Sequence, residues 1–246
     1  MEIRYLTSPQ LSEPRMVAAW PGMGYLAKIS ADYLRRRIDA QPFAEICYYQ
    51  NAVIHKDGLA ELPSIRHRFY AATDQDLIIC VGDAQPSIPE EAYRLARRVV
   101  EVAERYKVRR IYTMAAYPSD FQGEPRVYGV YTDESLRKIL MGQDIQMPPG
   151  EGAINGLNGI LIGVAKSRGI DGICLLGEIR YANVPQHLAS KAVLEKLTAI
   201  LGIEIDTSPL ERRAERMDAS IRRRLRQHPE YDEDYRKEER EFRYIS

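Results

Sequence analysis

The sequence predicts a three-layer α/β sandwich, in which helices cover both faces of a largely parallel or mixed sheet. Two observations predict it. Short apolar runs that end at glycine or proline recur along the chain, as at residues 16–20, 77–81, 110–114 and 173–176, and each is typical of a buried strand. Amphipathic segments follow several of them, beginning with residues 26–38. With 45% apolar and 28% charged residues among 246, the chain has the composition of a folded protein with a substantial core.

The first α/β unit contains a glycine turn. The strand at residues 16–20 ends at Pro21-Gly22-Met23-Gly24, and a helix follows. Backbone N–H groups at such a turn can bind an anion, or the glycines can simply permit a tight turn. Neither the dinucleotide fingerprint nor the P-loop is matched, so the tight turn is the favoured interpretation.

A hairpin is predicted at Asp57-Gly58, because this pair suits a type I′ turn. Residues 53–54 precede it and the strand-like residues 65–70 follow it. This hairpin adds an antiparallel part to the sheet.

Further elements follow in the second half of the chain. They are a helix from Pro89 to about residue 106, a strand at residues 127–131, a helix start at residues 132–135 with Thr132 as its cap, and an amphipathic helix over residues 186–201. Their alternation with the strands at residues 110–114 and 173–176 supports the sandwich.

A glycine-rich helix is predicted over residues 152–167, with Gly152, Gly156, Gly159 and Gly163 on it. Glycine costs roughly 1 kcal/mol per helical position relative to alanine. Spacings of four put pairs of glycines on one face, where they permit close backbone contact. That contact can be with the sheet or with a partner helix, and packing is the favoured role.

Polar residues follow the strands at the edge where α/β proteins place ligand groups. Gly82-Asp83, Tyr117 and Glu178 are expected to share this edge with the Pro21 turn. An enzymatic interpretation makes Glu178 a general base, but no nucleophile arrangement accompanies it. A solvated or capping carboxylate is therefore favoured, and no catalytic residue is assigned.

Composition excludes several classes of partner. Lys and Arg balance Asp and Glu at a net charge of zero, which gives no electrostatic reason to expect nucleic acid or an anionic membrane. Cys47, Cys80, Cys174 and the four histidines lack metal-ligand spacing, so neither metal nor cofactor is expected. Unpaired buried thiols and the absence of a signal-like start or a long apolar stretch favour a cytoplasmic protein.

A change in composition after Asp206 divides the chain into an α/β core, residues 1–206, and a charged helical tail, residues 207–246. One helix face carries Leu210, Ala214, Met217, Ile221 and Leu225. His228-Pro229 breaks this helix. Apolar residues of the distal tail are candidate interaction residues: Tyr231, Tyr235, Phe242, Tyr244 and Ile245.

Five segments in order resemble the proteasome assembly chaperone family, in its archaeal and bacterial branch. They are residues 17–24 with the Pro-Gly-Met-Gly turn, the Asp57-Gly58 hairpin, residues 76–86 (DLIICVGDAQP), residues 148–159 (PPGEGAINGLNG), and Leu175-Leu176-Gly177-Glu178 with the helix to residue 201. The resemblance covers about residues 15–206.

The resemblance implies a phosphorylase/hydrolase-like α/β fold and a homo-oligomer, often of three to five copies. It implies an assembly chaperone or adaptor that captures a client protein, such as proteasome subunits or another complex, without catalysis. Two alternatives remain: an enzyme with a pocket at the strand-end loops, and a self-assembling scaffold. Some family members dock on the proteasome through a C-terminal hydrophobic-Tyr-any tripeptide. This sequence ends Tyr244-Ile245-Ser246, which departs from that pattern.

The tail hypothesis is tested by deleting residues 229–246. If these residues project and bind a client, deletion abolishes client capture, because the aromatic residues are removed, and leaves oligomer mass and melting temperature nearly unchanged. Light scattering, thermal unfolding and a capture assay measure the three quantities. Loss of the oligomer would identify the distal tail as a structural clamp, and intact capture would assign binding to the α/β body.

Overall fold

The computed structural model describes residues 1–49 and 53–227. The strands are β1 (Glu2–Tyr5), β2 (Arg15–Ala19), β3 (Gln41–Tyr49), β4 (Ile54–Lys56), β5 (Leu59–Glu61), β6 (Ser64–Ala72), β7 (Leu77–Gly82), β8 (Arg110–Pro118), β9 (Val127–Tyr131) and β10 (Asp171–Ile179). The α-helices are α1 (Leu26–Arg37), α2 (Pro89–Arg105), α3 (Arg137–Met141), α4 (Leu157–Ser167), α5 (His187–Leu201) and α6 (Ser208–Gln227). No helix in this part of the chain is both long and apolar enough to cross a bilayer.

The main sheet is mixed, as predicted, and has the order β1-β3-β6-β7-β2-β8-β10-β9. The four strands β7, β2, β8 and β10 pair in parallel, and the flanking strands pair antiparallel. Strands β8 and β10 are longer than their apolar runs indicate, because they pair in register over nine residues from Asp171↔Arg110 to Ile179↔Pro118. Strand β1 was not predicted, since its alternating, half-exposed residues carry no apolar run.

Helices cover both faces and complete the three-layer sandwich. Helices α1 and α5 pack against each other on one face, and α2 and α4 pack together on the other. Each pair covers its own apolar core, with Leu26 and Val193 in the first and Leu95 and Leu161 in the second. Central strands are therefore apolar on both faces, as the burial of all six residues of β7 shows.

The predicted hairpin turn is confirmed, but its second strand is residues 59–61 rather than the expected residues 65–70. Strands β3 and β6 pair antiparallel, and β4 and β5 form a separate two-stranded sheet joined by Asp57-Gly58. Both turn residues have positive φ, 50° and 85°, as a type I′ turn requires. Residues 53–62, which contain β4 and β5, are called the arm below.

The predicted glycine helix begins later than the spacing indicated. Helix α4 starts at Leu157, so Gly152 and Gly156 precede it, and Gly156 has a φ of 78° that an α-helix excludes. A Cβ at Gly159 would overlap the Ile154 carbonyl oxygen, so this glycine packs against the segment before the helix. At Gly163 a Cβ would meet nothing within 4 Å.

A second helix start also differs from its prediction. The cap of the turn before α3 is Asp133, whose carboxylate accepts a hydrogen bond from the Ser135 N–H at 2.9 Å. Thr132 instead accepts a hydrogen bond from the Gly172 N–H through its hydroxyl oxygen at 2.8 Å. A side-chain bond to the neighbouring strand therefore takes the place of the expected cap.

Helix α6 begins against the body of the fold. Leu210 is fully buried in the α1–α5 core, and Lys191 of α5 pairs with Glu211 at 2.9 Å. Ala214 and Met217 are half-buried. The rest of the predicted stripe, the break at Pro229 and the distal aromatic residues lie outside the side chains that the structure describes.

Two glycine substitutions test the packing of the sandwich. A Cβ at Gly177 of β10 would lie 2.6 Å from Val193 and 2.8 Å from Leu26, so Gly177→Ala overpacks the core and should cost roughly 1–3 kcal/mol of unfolding free energy. Gly163→Ala is the matched control on an open helix face, where it should raise the free energy of unfolding by up to about 1 kcal/mol. Urea denaturation measures both. Equal effects of the two substitutions would contradict this account of the core.

Candidate protein-binding edge

The carboxyl ends of the four parallel strands meet at one edge of the sheet, because β2, β7, β8 and β10 run in the same direction. The turn at residues 21–24 follows β2, Gly82-Asp83 ends β7, Tyr117 lies near the end of β8, and Glu178 lies near the end of β10. The structure thus places these sequence-predicted residues at a common edge. This edge is called the carboxyl edge below.

Glu178 is buried and fully engaged by its own chain. Its carboxylate accepts hydrogen bonds from the Ser119 hydroxyl at 3.0 Å, the Arg126 N–H at 2.9 Å and the Tyr128 hydroxyl at 3.4 Å. Glu178 is only 4% exposed. Of the two roles expected from the sequence, the solvated carboxylate is therefore wrong, and the capping role is left. These bonds fasten the connection between β8 and β9 to β10.

The glycine turn is closed against the connection between β10 and α5. Gly24 has a φ of 64°, and its N–H donates to the Ala182 carbonyl at 2.6 Å. The Gln186 N–H donates in return to the Gly24 carbonyl at 2.8 Å. A Cβ on Gly24 would lie 2.6 Å from the Gln186 side chain. Both the left-handed backbone and the close approach therefore require glycine here.

Two amides that sequence reasoning missed tie the turn to helix α4. Gln85 donates from Nε2 to the Pro21 carbonyl at 2.5 Å and accepts from the Leu157 N–H at 2.6 Å. Asn158 accepts from the Trp20 N–H at 3.0 Å and donates to the Trp20 carbonyl at 3.3 Å. Gln85 thus binds an N–H at the start of α4 that would otherwise attract an anion. Gln85 lies in the Asp-Ala-Gln-Pro loop, but nothing local in the sequence indicates its distant partners.

The other two predicted side chains of the edge, Asp83 and Tyr117, also contact their own chain. Asp83 is exposed, and its carboxylate lies 3.5 Å from Arg68 Nη1. The ring of Tyr117 is half-buried and packs against Tyr128 with the ring centroids 5.0 Å apart. Among the described residues no group of three or more His, Cys, Asp and Glu side chains is arranged to hold a metal ion.

Large apolar side chains are exposed around the carboxyl edge. Met23 and Tyr25 follow β2, while Ile88 and Tyr93 lie at the start of α2. The arm adds the exposed Val53, Ile54, Leu59 and Leu62. Tyr49, at the end of β3, is exposed as well. Clusters of exposed apolar side chains mark interaction surfaces in folded proteins. Met23, Tyr25 and Ile88 are called the edge patch below.

The model of the PAC2 family matches residues 16–225. The chain belongs to the PAC2 family. This confirms the resemblance seen in the five sequence segments, and the match extends into α6.

Solved structures and a curated relative agree with this assignment. Pyrococcus furiosus PbaB, an archaeal proteasome activator, is 32% identical with a TM-score of 0.79, covering 90% of this chain and 97% of PbaB. Pyrococcus furiosus PbaA, an archaeal homolog of proteasome-assembly chaperone, is 22% identical with a TM-score of 0.72. The match covers 94% of this chain and 100% of PbaA, and it shows that the two share a fold. An uncharacterized Methanocaldococcus jannaschii protein is 30% identical over 220 residues, 86% of this chain and 83% of the relative.

A buried aromatic pair supports the carboxyl edge of this PAC2 protein from within. The Trp20 indole N–H donates to His67 Nδ1 at 3.0 Å, and Tyr48 stacks on the imidazole with centroids 5.8 Å apart. A Cβ at Gly82 would overlap the Trp20 ring, so Gly82 makes room for the pair. Since Nδ1 accepts, neutral His67 carries its proton on Nε2. Burial, with a smaller contribution from the Lys28 charge, lowers the pKa of His67 to about 4.

The lowered pKa of His67 predicts a stability change in acid. In the unfolded chain the pKa is ordinary, near 6.5, so the unfolded state binds a proton first as pH falls. The contribution of His67 to the free energy of unfolding therefore has its full value above pH 6.5. As the pH falls from 6.5 to 4, protonation of this residue in the unfolded state lowers the free energy of unfolding by about 3 kcal/mol. His67→Gln keeps an acceptor for Trp20 but cannot titrate, so its loss over this range should be smaller by that amount.

Urea denaturation at several pH values measures the difference. His55→Gln, which replaces an exposed histidine of the arm, is the control and should follow the wild type. A His67→Gln variant that loses as much stability as the wild type would exclude His67 as the titrating group.

Proposed function

We propose that this protein is a homo-oligomeric assembly factor or adaptor that captures client protein subunits and performs no catalysis. Proteasome subunits are the class of client that the comparisons favour, because PbaB is described as a proteasome activator and PbaA as a homolog of proteasome-assembly chaperone. A homo-oligomer of three to five copies working in the cytoplasm is part of this proposal.

One observation carries the proposal: the carboxyl edge is filled by the protein's own hydrogen bonds, while apolar side chains are exposed around it. Ligand pockets in α/β proteins need convergent polar groups that a substrate can reach. Here Gln85, Asn158 and Glu178 already bind other parts of the chain. An apolar, closed surface suits the side chains of another protein better than a small polar substrate.

Tyr25 adds a second reason to assign the edge patch to partner binding. Its φ of 52° is unusual for a bulky residue, and its side chain is 48% exposed. The Tyr25 N–H donates to the Gly22 carbonyl at 2.9 Å, so the turn holds this conformation. Strained backbone that presents an exposed aromatic ring is typical of functional positions, and tyrosine is enriched where proteins bind proteins.

The alternative of a phosphorylase- or hydrolase-type enzyme makes a different prediction. It requires a ligand that enters among the strand-end loops and displaces internal bonds such as that between Gln85 and Leu157. A thermal-shift panel with ATP, nucleosides and phosphate tests for one. A large stabilisation that disappears in Glu178→Ala or Gly24→Leu would favour the enzyme.

Capture of clients tests the proposal directly. The tagged protein is incubated with native lysate, and the mass and stoichiometry of bound subunits are determined; binding to purified proteasome subunits is then measured. Met23→Asp and Ile88→Asp should each weaken binding at least tenfold, since a charge is buried in an apolar contact. Leu6→Asp and Met141→Asp, at 48% and 55% exposure away from the edge, are matched controls. Equal binding by all four variants would remove the edge patch from client capture.

Tyr25→Asn separates function from stability. Asparagine tolerates the left-handed backbone better than tyrosine, so relief of about 1 kcal/mol of strain should leave the melting temperature unchanged or raise it by up to about 4 °C. The same change removes the aromatic ring and should weaken client binding. Calorimetry and the binding assay measure the two effects. A melting temperature that falls together with binding would show that Tyr25 has a packing role instead.

A further inference from the structure

Within the part of the chain that the structure describes, the arm has no supporting surface. Strands β4 and β5 pair only with each other, and all six of their residues are exposed. Ile54 and Leu59 are 56% and 68% exposed. A two-stranded hairpin is at best marginally stable alone in water. The described residues therefore do not supply the apolar surface that such a hairpin needs.

A groove that fits an apolar segment runs along the outer face of helices α2 and α4. Its volume is about 660 Å³, and its lining includes Val100 of α2 and Ile160, Gly163 and Val164 of α4. Beyond its own helix turn, a Cβ at Gly163 would meet no atom of the described residues within 4 Å. Glycine in an exposed helix costs roughly 1 kcal/mol relative to alanine. An approaching backbone would account for this glycine, because it can come closest where no side chain stands.

The arm and the groove match in length and in charge. A three-residue strand spans about 10 Å, and the part of α2 that lines the groove, from Tyr93 to Val100, rises about 10 Å. Arg97 lies at the groove, is exposed and has no ion pair among the described residues. Glu61 of β5 is likewise exposed and unpaired within that part of the chain. A carboxylate on the arm and a guanidinium at the groove are complementary.

We propose that the arm of one copy lies in the α2–α4 groove of the next copy, with Glu61 facing Arg97. The inference rests on the homo-oligomer of the proposed function and names its contact surfaces. The exposure of Ile54 and Leu59 excludes an arm that folds back onto its own groove. The two surfaces differ, so the contact is head-to-tail, and repetition of such a contact closes into a ring when the rotation permits.

Substitutions on either side of the contact should dissociate the oligomer. Leu59→Asp puts a charge on the arm, and Gly163→Trp fills the groove without meeting any atom of its own chain within 4 Å of the new Cβ. Sedimentation velocity should show each variant of the full chain at the mass of one copy, 28.2 kDa. Met141→Asp is the control for an exposed charge and should retain the wild-type mass. Gly163→Ala, which adds only a methyl group to the groove, should weaken assembly less than Gly163→Trp.

Mixing the two monomeric variants distinguishes this contact from a symmetric one. The Leu59→Asp copy keeps an intact groove and the Gly163→Trp copy keeps an intact arm, so the mixture should form one-to-one dimers that grow no further. A contact made by the same surface on both copies would give no such dimer. Circular dichroism confirms that each variant is folded. Should Leu59→Asp unfold, Glu61→Arg replaces it, and Glu61→Arg combined with Arg97→Glu should restore assembly.

Each remaining outcome decides the matter. An oligomeric wild type with both variants at wild-type mass overturns the arm–groove contact and leaves client capture by the proposed function intact. An arm variant that keeps its mass but no longer captures clients also overturns it, because the arm then binds the client. A wild type that is monomeric at micromolar concentration overturns both the contact and the homo-oligomer of the proposed function.

Discussion

The burial of Trp20 at the end of the central strand is the constraint on which the carboxyl edge depends. Its backbone N–H and carbonyl are both bound by Asn158, and its indole N–H is bound by His67. A buried polar group without a partner costs about 1–3 kcal/mol, so the fully buried Trp20 needs all three bonds, one at its indole and two at its backbone. The absence of a side chain at Gly82 supplies the space. The start of α4 and the strand β6 are thereby held against the end of β2.

This arrangement decides what the edge can bind. In an α/β protein the loops beyond the parallel strands are where substrates usually bind, because helix N-termini and polar side chains converge there. Here the amide of Gln85 takes the N–H that an anion would use, and the carboxylate of Glu178 holds the chain that crosses the end of β10. Gln85 and Glu178 are thus occupied by internal bonds, and the exposed side chains at the edge include the apolar Met23, Tyr25 and Ile88 beside Asp83. A surface of this kind favours a protein partner.

Local signals in the sequence predicted the local parts of the fold. Apolar runs predicted the central strands, and Asp57-Gly58 predicted the turn with two positive φ values. Periodicity failed at Gly152 and Gly156, because a spacing of four also occurs in the loop before α4, where Gly156 has a φ of 78°. Gln85 binds Pro21 across 64 residues of sequence, and Asn158 binds Trp20 across 138. No local pattern encodes such pairs. Strand direction alone predicted that Asp83, Tyr117 and Glu178 lie at a common edge. The burial of Glu178 could not be predicted in this way, because it depends on the connection between β8 and β9 that packs over it.

The two apolar surfaces belong to different parts of the fold, and this permits two separate roles. The arm extends from β3 and β6, on one side of the parallel strands. Met23 and Tyr25 follow β2 and are held by the connection to α5, so a change in the arm leaves their supports in place. Identical copies at high local concentration also repel one another unless their net charge is small, and this chain has a net charge of zero. The proposed self-association through the arm and the proposed client binding at the edge patch therefore use separate surfaces of a chain with no net charge.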